Sequence, residues 1–505
     1  MTQRSITSLL LLSLSSWCHA AELRSASSRC LAIGQTTEIT LQGSDLAIEN
    51  NEDPQLWTSF PATMELVKPQ KRDRNRVTFR ITPGTDAKPG IAAIRAYNSQ
   101  GVSHPLFVWL DRVPVTRGEE RVELQSAQEL KLPATVGGNT PDRRQLFFRF
   151  QAQAGQTLSA EVIAQRIGLD TDAVIALLDE KGRELISADD DPVLGADCRF
   201  SLRIPTTGTY FLMLHDLQYR GGRPYLLRVG DFSLVENVFP LGMTPGKMAE
   251  LEAIEIGVSR STKLSAILGD EAFAGVHEIE IDDHGPTARV FASSLDQHLE
   301  AEPNNDQQTA NSITIPAAIN GRFLARGDVD FYKFSAKQGQ RLTISPKTRS
   351  VSSPSFVRIK LLDGEGNVLL DSRESGLNEA IQRVRIAKDD DYYLAITDIL
   401  RGGGPSHGYH VLLELNRAPF TLTAPYDKKR PRHRPVAIPG GVLLVPLKIH
   451  RHGYNGPIRL TASTREGKLD VANEVIPEGK NDAGLRIRIP ASLKTPALTA
   501  ILVEG

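Results

Sequence analysis

Short runs rich in β-branched and aromatic residues, many of them alternating with polar residues, recur along the whole chain. Examples occupy residues 37–41, 76–81 and 106–110, with the turn-forming pairs Pro83-Gly84 and Pro89-Gly90 between the second and the third. Such runs, bounded by glycine and proline, are typical of β-strands with one buried face. Long amphipathic helical patterns are scarce. The pattern therefore predicts an all-β chain built from tandem β-sandwiches.

Part of this pattern occurs twice, at a constant offset of 184 residues. Residues 148–150, 155–156 and 177–179 match residues 332–334, 339–340 and 361–363. A self-similarity at fixed offset indicates a duplicated structural unit. In each copy the third segment continues into a short loop containing glycine, Gly182 or Gly366, where a bulged hairpin needs a left-handed residue.

Only the second copy carries a group of acidic side chains. The candidate metal ligands are Glu300, Glu302, Asn304, Asp328 and Asp330. They alternate on short extended stretches, which sends every second side chain to the same side. Four carboxylates and an amide carbonyl supply most of the oxygen ligands that calcium takes, so we expect calcium here. The alternative is an acidic linker whose carboxylates are simply solvated.

The first copy acts as an internal control for this expectation. Alignment of Phe150 with Phe334 places Arg144 at the position of Asp328 and Leu146 at that of Asp330. We expect no cation at that place.

Several motifs of the second copy resemble the bacterial pre-peptidase C-terminal domain. They are residues 302–306 (EPNND), 327–332 (GDVDFY), 362–366 (LDGEG) and 391–394 (DYYL). The resemblance implies a jelly-roll-like β-sandwich of the kind appended to secreted proteases, collagenases and non-proteolytic proteins. It also implies calcium binding by the five candidate ligands. The first copy matches this family in its second half, through residues 178–182, 189–191 and 208–210.

The segments around the two copies resemble immunoglobulin-like domains. Residues 34–43, 86–90 and 98–101 resemble IPT or TIG domains, as in secreted planctomycete proteins, and residues 238–250 echo them weakly. The predicted division of the chain is a signal peptide (1–20), an IPT/TIG-like domain (21–116), a degenerate pre-peptidase-like sandwich (117–231), a shortened immunoglobulin-like domain (232–298), a pre-peptidase C-terminal domain (299–416) and a C-terminal immunoglobulin-like domain (417–505).

The first twenty residues have the features of an export signal. Arg4 precedes an apolar run at 9–14, and Ala20 offers a small residue for cleavage. No other segment is apolar for long enough to span a membrane. We therefore expect a secreted, periplasmic or cell-surface protein without a transmembrane segment. The formal net charge of −1 gives no reason to expect nucleic acid as a partner.

Three other features leave alternatives open, and the histidines have one expected role. Cys30 and Cys198 form one disulfide or remain two buried thiols. The run Asp189–Asp191 is a second cation site or an exposed loop. The basic run 428–434 either binds an anionic polysaccharide or is a solvated loop. We expect the three histidines among basic residues to be solvated side chains, namely His433, His450 and His452.

No nucleophile-elbow, zinc-protease or phosphate-loop motif occurs in the sequence. We expect a non-enzymatic protein used for adhesion or scaffolding, with calcium stiffening the linker of the second copy. The alternative is a targeting module that binds an extracellular polysaccharide or protein surface and accompanies a secreted protease. A third possibility, an unrecognised hydrolase, needs an acid/base pair in a cleft.

Overall fold

The computed structural model describes residues 21–46, 53–68, 73–98, 101–257, 261–270, 272, 274–281, 287–372, 379–415, 420–423, 440–451, 454–464, 467–492 and 502–504. Within these ranges the regular structure is β-strand, apart from three short 3-10 helices at Leu124–Ser126, Gln165–Ile167 and Arg349–Val351. None of the helices in the described ranges is long and apolar enough to cross a membrane. The all-β prediction is confirmed. The predicted signal peptide lies outside the described residues.

The first sandwich consists of strands β1 to β9. Its sheets have the orders β1-β3-β6-β5 and β2-β9-β7-β4, with β8 paired to β7. A core of alternating strand residues, including Ile39, Phe79 and Val108, lies between them. The strands are Glu22–Ala26, Cys30–Ala32, Thr37–Ser44, Gln55–Thr58, Ala62–Val67, Arg76–Pro83, Gly90–Asn98, Gly101–Val102 and Leu106–Asp111.

The first copy of the duplicated unit consists of β10 to β19. Its two five-stranded sheets have the orders β10-β12-β19-β14-β17 and β11-β13-β18-β15-β16. The strands are Val115–Arg117, Gln128–Glu129, Ala134–Asn139, Leu146–Ala152, Thr157–Ile163, Ala173–Leu178, Glu184–Ala188, Arg199–Arg203, Gly208–Asp216 and Pro224–Gly230.

A smaller middle unit, β20 to β25, separates the two copies. It has two three-stranded sheets, β20-β22-β23 and β21-β25-β24. The strands are Val235–Phe239, Gly242–Met243, Met248–Glu255, Ser261–Ile267, Gly275–Glu280 and Thr287–Ala292.

The second copy, β26 to β35, repeats the topology of the first. Its sheets have the orders β26-β28-β35-β30-β33 and β27-β29-β34-β31-β32, so each strand corresponds to one in the first copy. The pairing of Phe334 with Tyr392 matches that of Phe150 with Tyr210. The strands are Gln297–Leu299, Asn311–Ser312, Ala317–Arg322, Val329–Ala336, Arg341–Lys347, Val357–Leu362, Val368–Asp371, Gln382–Arg385, Asp390–Asp398 and Gly408–Leu415.

The last unit comprises β36 to β43. It has a six-stranded sheet, β36-β37-β42-β40-β39-β43, and the pair β38-β41. The strands are Phe420–Thr423, Val442–Arg451, Ile458–Arg459, Thr461–Thr464, Gly467–Val471, Val475–Ile476, Asp482–Arg488 and Leu502–Glu504.

Two residues of the first sandwich pack into the interior of the first copy. Cys30 and Trp109 of the first sandwich belong to the hydrophobic core of the first copy. A buried charge network crosses the same junction, because Arg228 donates to Asp111 at 2.8 Å and to Glu161 at 2.6 Å. These contacts fix one sandwich against the other.

The middle unit is joined to the second copy by polar contacts. Arg322 forms an ion pair with Glu252 at 2.9 Å. The Gly242 N–H donates to Asn320 Oδ1 at 2.8 Å, and the ring of His410 lies against that oxygen, with Nδ1 at 3.0 Å. His410 is fully buried there.

Candidate metal centre

The predicted acidic residues occupy one end of the second copy. Glu300 directly follows β26, Asp328 directly precedes β29, and Asp330 is the second residue of β29. Glu302 and Asn304 belong to the connection between β26 and β27. The chain thus delivers all five residues from two neighbouring segments.

Three of the five bring their ligand atoms close together. One carboxylate oxygen each from Glu302, Asp328 and Asp330 lies within 4.8 Å of the others. Glu300 is outside this group, and its Oε2 accepts hydrogen bonds from the Arg322 N–H at 2.8 Å and from Tyr409 Oη at 3.4 Å. We refer to Glu302, Asp328 and Asp330 as the carboxylate cluster.

Asn304 is attached to this cluster through its backbone. Its N–H donates to Glu302 Oε2 at 2.9 Å, and its carbonyl accepts from the N–H of Phe331, next to Asp330, at 2.8 Å. Asn304 itself is fully buried. The connection between β26 and β27 is thereby held against β29.

Two oxygen atoms at the site have no hydrogen-bond partner among the described residues. They are Oδ1 of Asn304 and Oδ1 of Asp330, and both side chains are 0% exposed. Leaving a buried acceptor unsatisfied costs about 1–3 kcal/mol. A cation held by these oxygens would remove that cost.

The protonation of the site reflects burial combined with like charges. Burial, and then the neighbouring Glu302 and Asp328, raise the pKa of Glu300 to about 7. Burial, and then Glu300, Asp328 and Glu302, raise the pKa of Asp330 to about 8, although a hydrogen bond from Tyr409 opposes this. Burial and the neighbouring carboxylates thus outweigh the groups that lower these pKa values, which are Arg322 for Glu300 and Tyr409 for Asp330.

Two tyrosines complete the site, and the sequence did not identify their role. Tyr409 Oη donates to Asp330 Oδ2 at 2.5 Å, and the hydroxyls of Tyr332 and Tyr409 are 2.8 Å apart. Tyr409 is on β35 and Asp330 on β29, so this contact bridges the two sheets of the sandwich. Two signals are present in the sequence: Tyr332 lies in the repeated segment 332–334, and Tyr409 lies 184 residues after Tyr225.

The donor set fits a hard divalent cation. The five predicted residues offer only oxygen, from four carboxylates and one amide, with no thiolate or imidazole among them. Calcium takes six to eight oxygen ligands in a flexible geometry, whereas magnesium demands a stricter octahedron and retains water. The residues present therefore fit calcium.

The first copy has a different set of side chains at the same place. The Gly118 N–H bonds the carbonyl of Gly137 as the Glu300 N–H bonds that of Asn320, so Gly118 corresponds to Glu300. Arg144, at the position of Asp328, forms an ion pair with Glu120 at 3.1 Å. A guanidinium group thus carries the positive charge that the carboxylate cluster lacks.

The three consecutive aspartates of the first copy, Asp189–Asp191, have different neighbours in the structure. Asp189 and Asp190 lie within 4.8 Å of Asp172, which the sequence did not indicate. Asp191 instead forms an ion pair with Arg199 at 2.6 Å. The three consecutive residues therefore do not act as one group.

The remaining candidates are the two cysteines, the three histidines and the basic run. Cys30 and Cys198 are both free and buried, so the disulfide alternative is not realised in this structure. His450 is exposed, as expected. His433, His452 and the basic run 428–434 lie outside the described residues.

Comparison with known proteins gives remote similarities only. No family model and no curated protein matches the chain. The pre-peptidase C-terminal domain of a Bacillus anthracis collagenase is 15% identical, with a TM-score of 0.18, over 22% of this chain and 99% of that one.

Two larger structures are similar over more of the chain. The Bacteroides ovatus mixed-linkage glucan utilization protein SGBP-B is 11% identical, with a TM-score of 0.15, over 76% of this chain and 70% of that one. A Clostridium perfringens ZmpB structure with an M60 catalytic domain and two CBM51 domains is 11% identical, with a TM-score of 0.15, over 78% and 55%. At these values the similarities do not assign the chain to a family.

Proposed function

We propose that this chain is an exported, non-catalytic series of β-sandwiches whose second copy binds calcium at the carboxylate cluster. The observation that carries the proposal is the pair of fully buried oxygens without a partner, on Asn304 and Asp330. Glu302 and Asp328 would supply further ligands, whereas Glu300 lies outside this group. A calcium ion held by these ligands would contact the two oxygens that lack a hydrogen bond and would balance the negative charge of the carboxylate cluster.

The role that this site supports is mechanical. Glu300, Glu302 and Asn304 belong to the segment that enters the second copy from the middle unit, whereas Asp328 and Asp330 belong to the body of the sandwich. A cation shared by both groups would fasten the entering segment to β29. The result would be a stiffer scaffold for adhesion at the cell surface or in the extracellular matrix.

Calorimetry of the full chain tests the calcium site. We expect saturable calcium binding after removal of metal with EDTA, and a rise in the melting temperature of one thermal transition. At a calcium concentration 100 times Kd, the stabilisation is about 2.7 kcal/mol. Magnesium should produce a smaller effect at the same concentration.

Two substitutions and one matched control assign the site. Asp328→Asn and Asp330→Asn should each weaken calcium binding by about tenfold or more, because ligand charge sets calcium affinity. Glu120→Gln alters the corresponding region of the first copy and should leave binding unchanged. Absence of a binding heat, or unchanged affinity in both aspartate variants, would refute the proposal.

The alternative role as a carbohydrate- or protein-binding module concerns a different part of the molecule. It is supported by a cleft between the first sandwich and the first copy.

A further inference from the structure

A cleft of about 670 Å³ lies where the first sandwich meets the first copy. One wall is the turn after β1, with Ser27, Ser28 and Arg29. The other consists of β10 and the ends of β12 and β19, with Arg117 and Asn139 among its residues. Ligand sites in proteins commonly enclose about 300–1,000 Å³, so the size suits a small ligand.

The floor of the cleft corresponds to the metal centre of the second copy. Gly138 pairs with Tyr225 as Gly321 pairs with Tyr409, and Gly137 pairs with Leu226 as Asn320 pairs with His410. Glycines therefore stand at the positions of Glu300 and Asn320. The loss of those two side chains leaves the floor open in this copy.

A buried hydroxyl without a partner lies under this floor. Tyr225 is 1% exposed, and its Oη has no hydrogen-bond partner among the described residues. A methyl group on Gly118 or Gly138 would lie only 2.7 Å from that oxygen. In the second copy the matching hydroxyl of Tyr409 bonds Asp330 and Tyr332, which Leu146 and Phe148 replace here.

Phenylalanine at this position would avoid the cost of an unsatisfied buried hydroxyl, so the presence of tyrosine indicates a ligand that accepts its hydrogen bond. The two glycines keep the space above the hydroxyl free of side chains. The same absence of side chains lets a ligand atom approach the backbone of β10 and β12 closely.

The charges around the cleft favour an anionic ligand. Among the described residues, neither Arg29 nor Arg117 forms an ion pair. Arg29 uses Nη1 to bond the carbonyl of Phe107 at 2.7 Å, which fixes the guanidinium at the wall. The acidic side chain of the lining, Glu38, is associated with Arg80 at 3.5 Å. Two cationic groups thus remain without an opposite charge.

The other polar groups of the lining are hydroxyls and an amide, from Ser27, Ser28, Thr116 and Asn139. The Ser28 hydroxyl already donates to the carbonyl of Cys30 at 2.7 Å, and Ser27 Oγ accepts from the Thr40 N–H at 2.9 Å but keeps its own O–H to donate. Such groups bond the hydroxyls of a sugar, and guanidinium groups bond carboxylates and sulfates. We infer that this cleft is a binding site for an acidic saccharide, bearing either uronate or sulfate groups. The site is separate from the proposed calcium centre.

The test is a titration of the full-length chain in EDTA. Trigalacturonate and a sulfated heparin disaccharide represent the two sources of negative charge, and maltotriose is the neutral control. We expect saturable binding of at least one acidic saccharide, weakening as sodium chloride is raised, and no binding of maltotriose. A triglutamate peptide measures whether charge alone suffices, and it should bind more weakly than the saccharide.

Two variants locate the binding. Tyr225→Phe should weaken binding about three- to tenfold, as expected for one lost hydrogen bond, without lowering the melting temperature. Arg117→Gln should weaken it at least as much. Tyr210→Phe and Arg183→Gln are the controls, because Tyr210 already donates to the carbonyl of Thr206 and Arg183 to Asp179 on the distant hairpin.

Several results would overturn the inference. They are equal binding of maltotriose, equal or tighter binding of triglutamate, no saturable binding of either acidic saccharide, or unchanged affinity in both cleft variants. Asp330→Asn should leave saccharide binding intact. Failure of the calcium proposal and failure of this one are therefore distinguished by separate measurements.

Discussion

At the scale of single residues, the junction between the first sandwich and the first copy depends on a few fully buried charges. Glu161 lies between Arg228, at 2.6 Å, and Arg166, at 2.9 Å. Burial alone would raise the pKa of Glu161, but the two guanidinium groups outweigh it and lower the pKa to about 2. The carboxylate is therefore ionised in the folded protein well below the pH at which it protonates in an unfolded chain.

Glu161 links stability to pH. Because its pKa is lowered on folding, its contribution is fully present above about pH 4.5 and is lost as the pH falls towards 2, on the order of 3 kcal/mol in total. Glu161→Gln should lower the free energy of unfolding at pH 7 by about 3–5 kcal/mol, because it removes one partner from a buried network. It should also flatten the loss of stability below pH 4.5. Urea unfolding at several pH values measures both.

Glu129→Gln is the matched control for this prediction. Glu129 pairs with Arg149 at 2.8 Å, but its side chain is 75% exposed. The cost should be within about 1 kcal/mol. Equal effects of the two substitutions would contradict the account.

Of the five candidate ligands selected from the sequence, the structure brings together Glu302, Asp328 and Asp330. Alternation along the chain and comparison of the copies selected Asp328 and Asp330, because both arguments need only the order of residues. The hydroxyl of Tyr409 donates a hydrogen bond to Asp330 from the opposite sheet. No single segment of the sequence predicts which residues of the two sheets face each other across a sandwich. Asp172 was missed for the same reason, since it lies outside the aspartate run that it approaches.

At the scale of elements, the matching hairpins of the two copies each contain a glycine in the left-handed conformation. Gly182 and Gly366 have φ of 76° and 86°. Each hairpin has a bulge at the same place, between Leu177 and Leu178 and between Leu361 and Leu362. The left-handed glycine was predictable from the sequence, because turn chemistry depends on adjacent residues.

Gly182→Val should lower the free energy of unfolding by about 1–2 kcal/mol, since a β-branched residue is strained at positive φ. A Cβ at this position meets no atom closer than 3.5 Å, so backbone strain and not collision is the cause. Gly208→Val is the control, because Gly208 has open space around it and its counterpart in the second copy is Asp390. Denaturant unfolding compares the two, and a smaller loss for Gly182→Val would count against this explanation.

The short parallel edge strands β10 and β26 were not anticipated. Each pairs in parallel with the second strand after it in the chain, β12 or β28. Three residues give no periodicity to detect, and their pairing follows from the completed sheet. These strands nevertheless position Gly118 and Glu300, which distinguish the two copies.

At the scale of the whole molecule, His410 connects the pH of the medium to the junction between the middle unit and the second copy. Burial lowers the pKa of His410 to about 4, and the nearby Lys347 contributes in the same direction. The ring lies 5.7 Å from that of Phe291 in the middle unit. Protonation would therefore place an additional charge in an interior contact between units.

A lowered histidine pKa makes the folded state less stable as the medium becomes acidic. The unfolded chain takes up a proton near pH 6.5 and the folded one only near pH 4, so stability should fall between these values, by about 2 kcal/mol at pH 5. His410→Leu copies Leu226 of the first copy and should remove this part of the pH dependence. Differential scanning calorimetry at pH 7 and pH 5 measures it, with His450→Leu as an exposed control. An undiminished pH dependence in His410→Leu would rule the explanation out.

Because Arg144 forms an ion pair with Glu120, the two copies differ in the source of the positive counterion at this position. In the first copy the counterion is part of the polypeptide, so it is present once in every chain and needs no supply from the surroundings. In the second copy, under the proposed calcium binding, that counterion would come from the medium. The stability of the second copy would then depend on the composition of the medium, whereas that of the first copy would not.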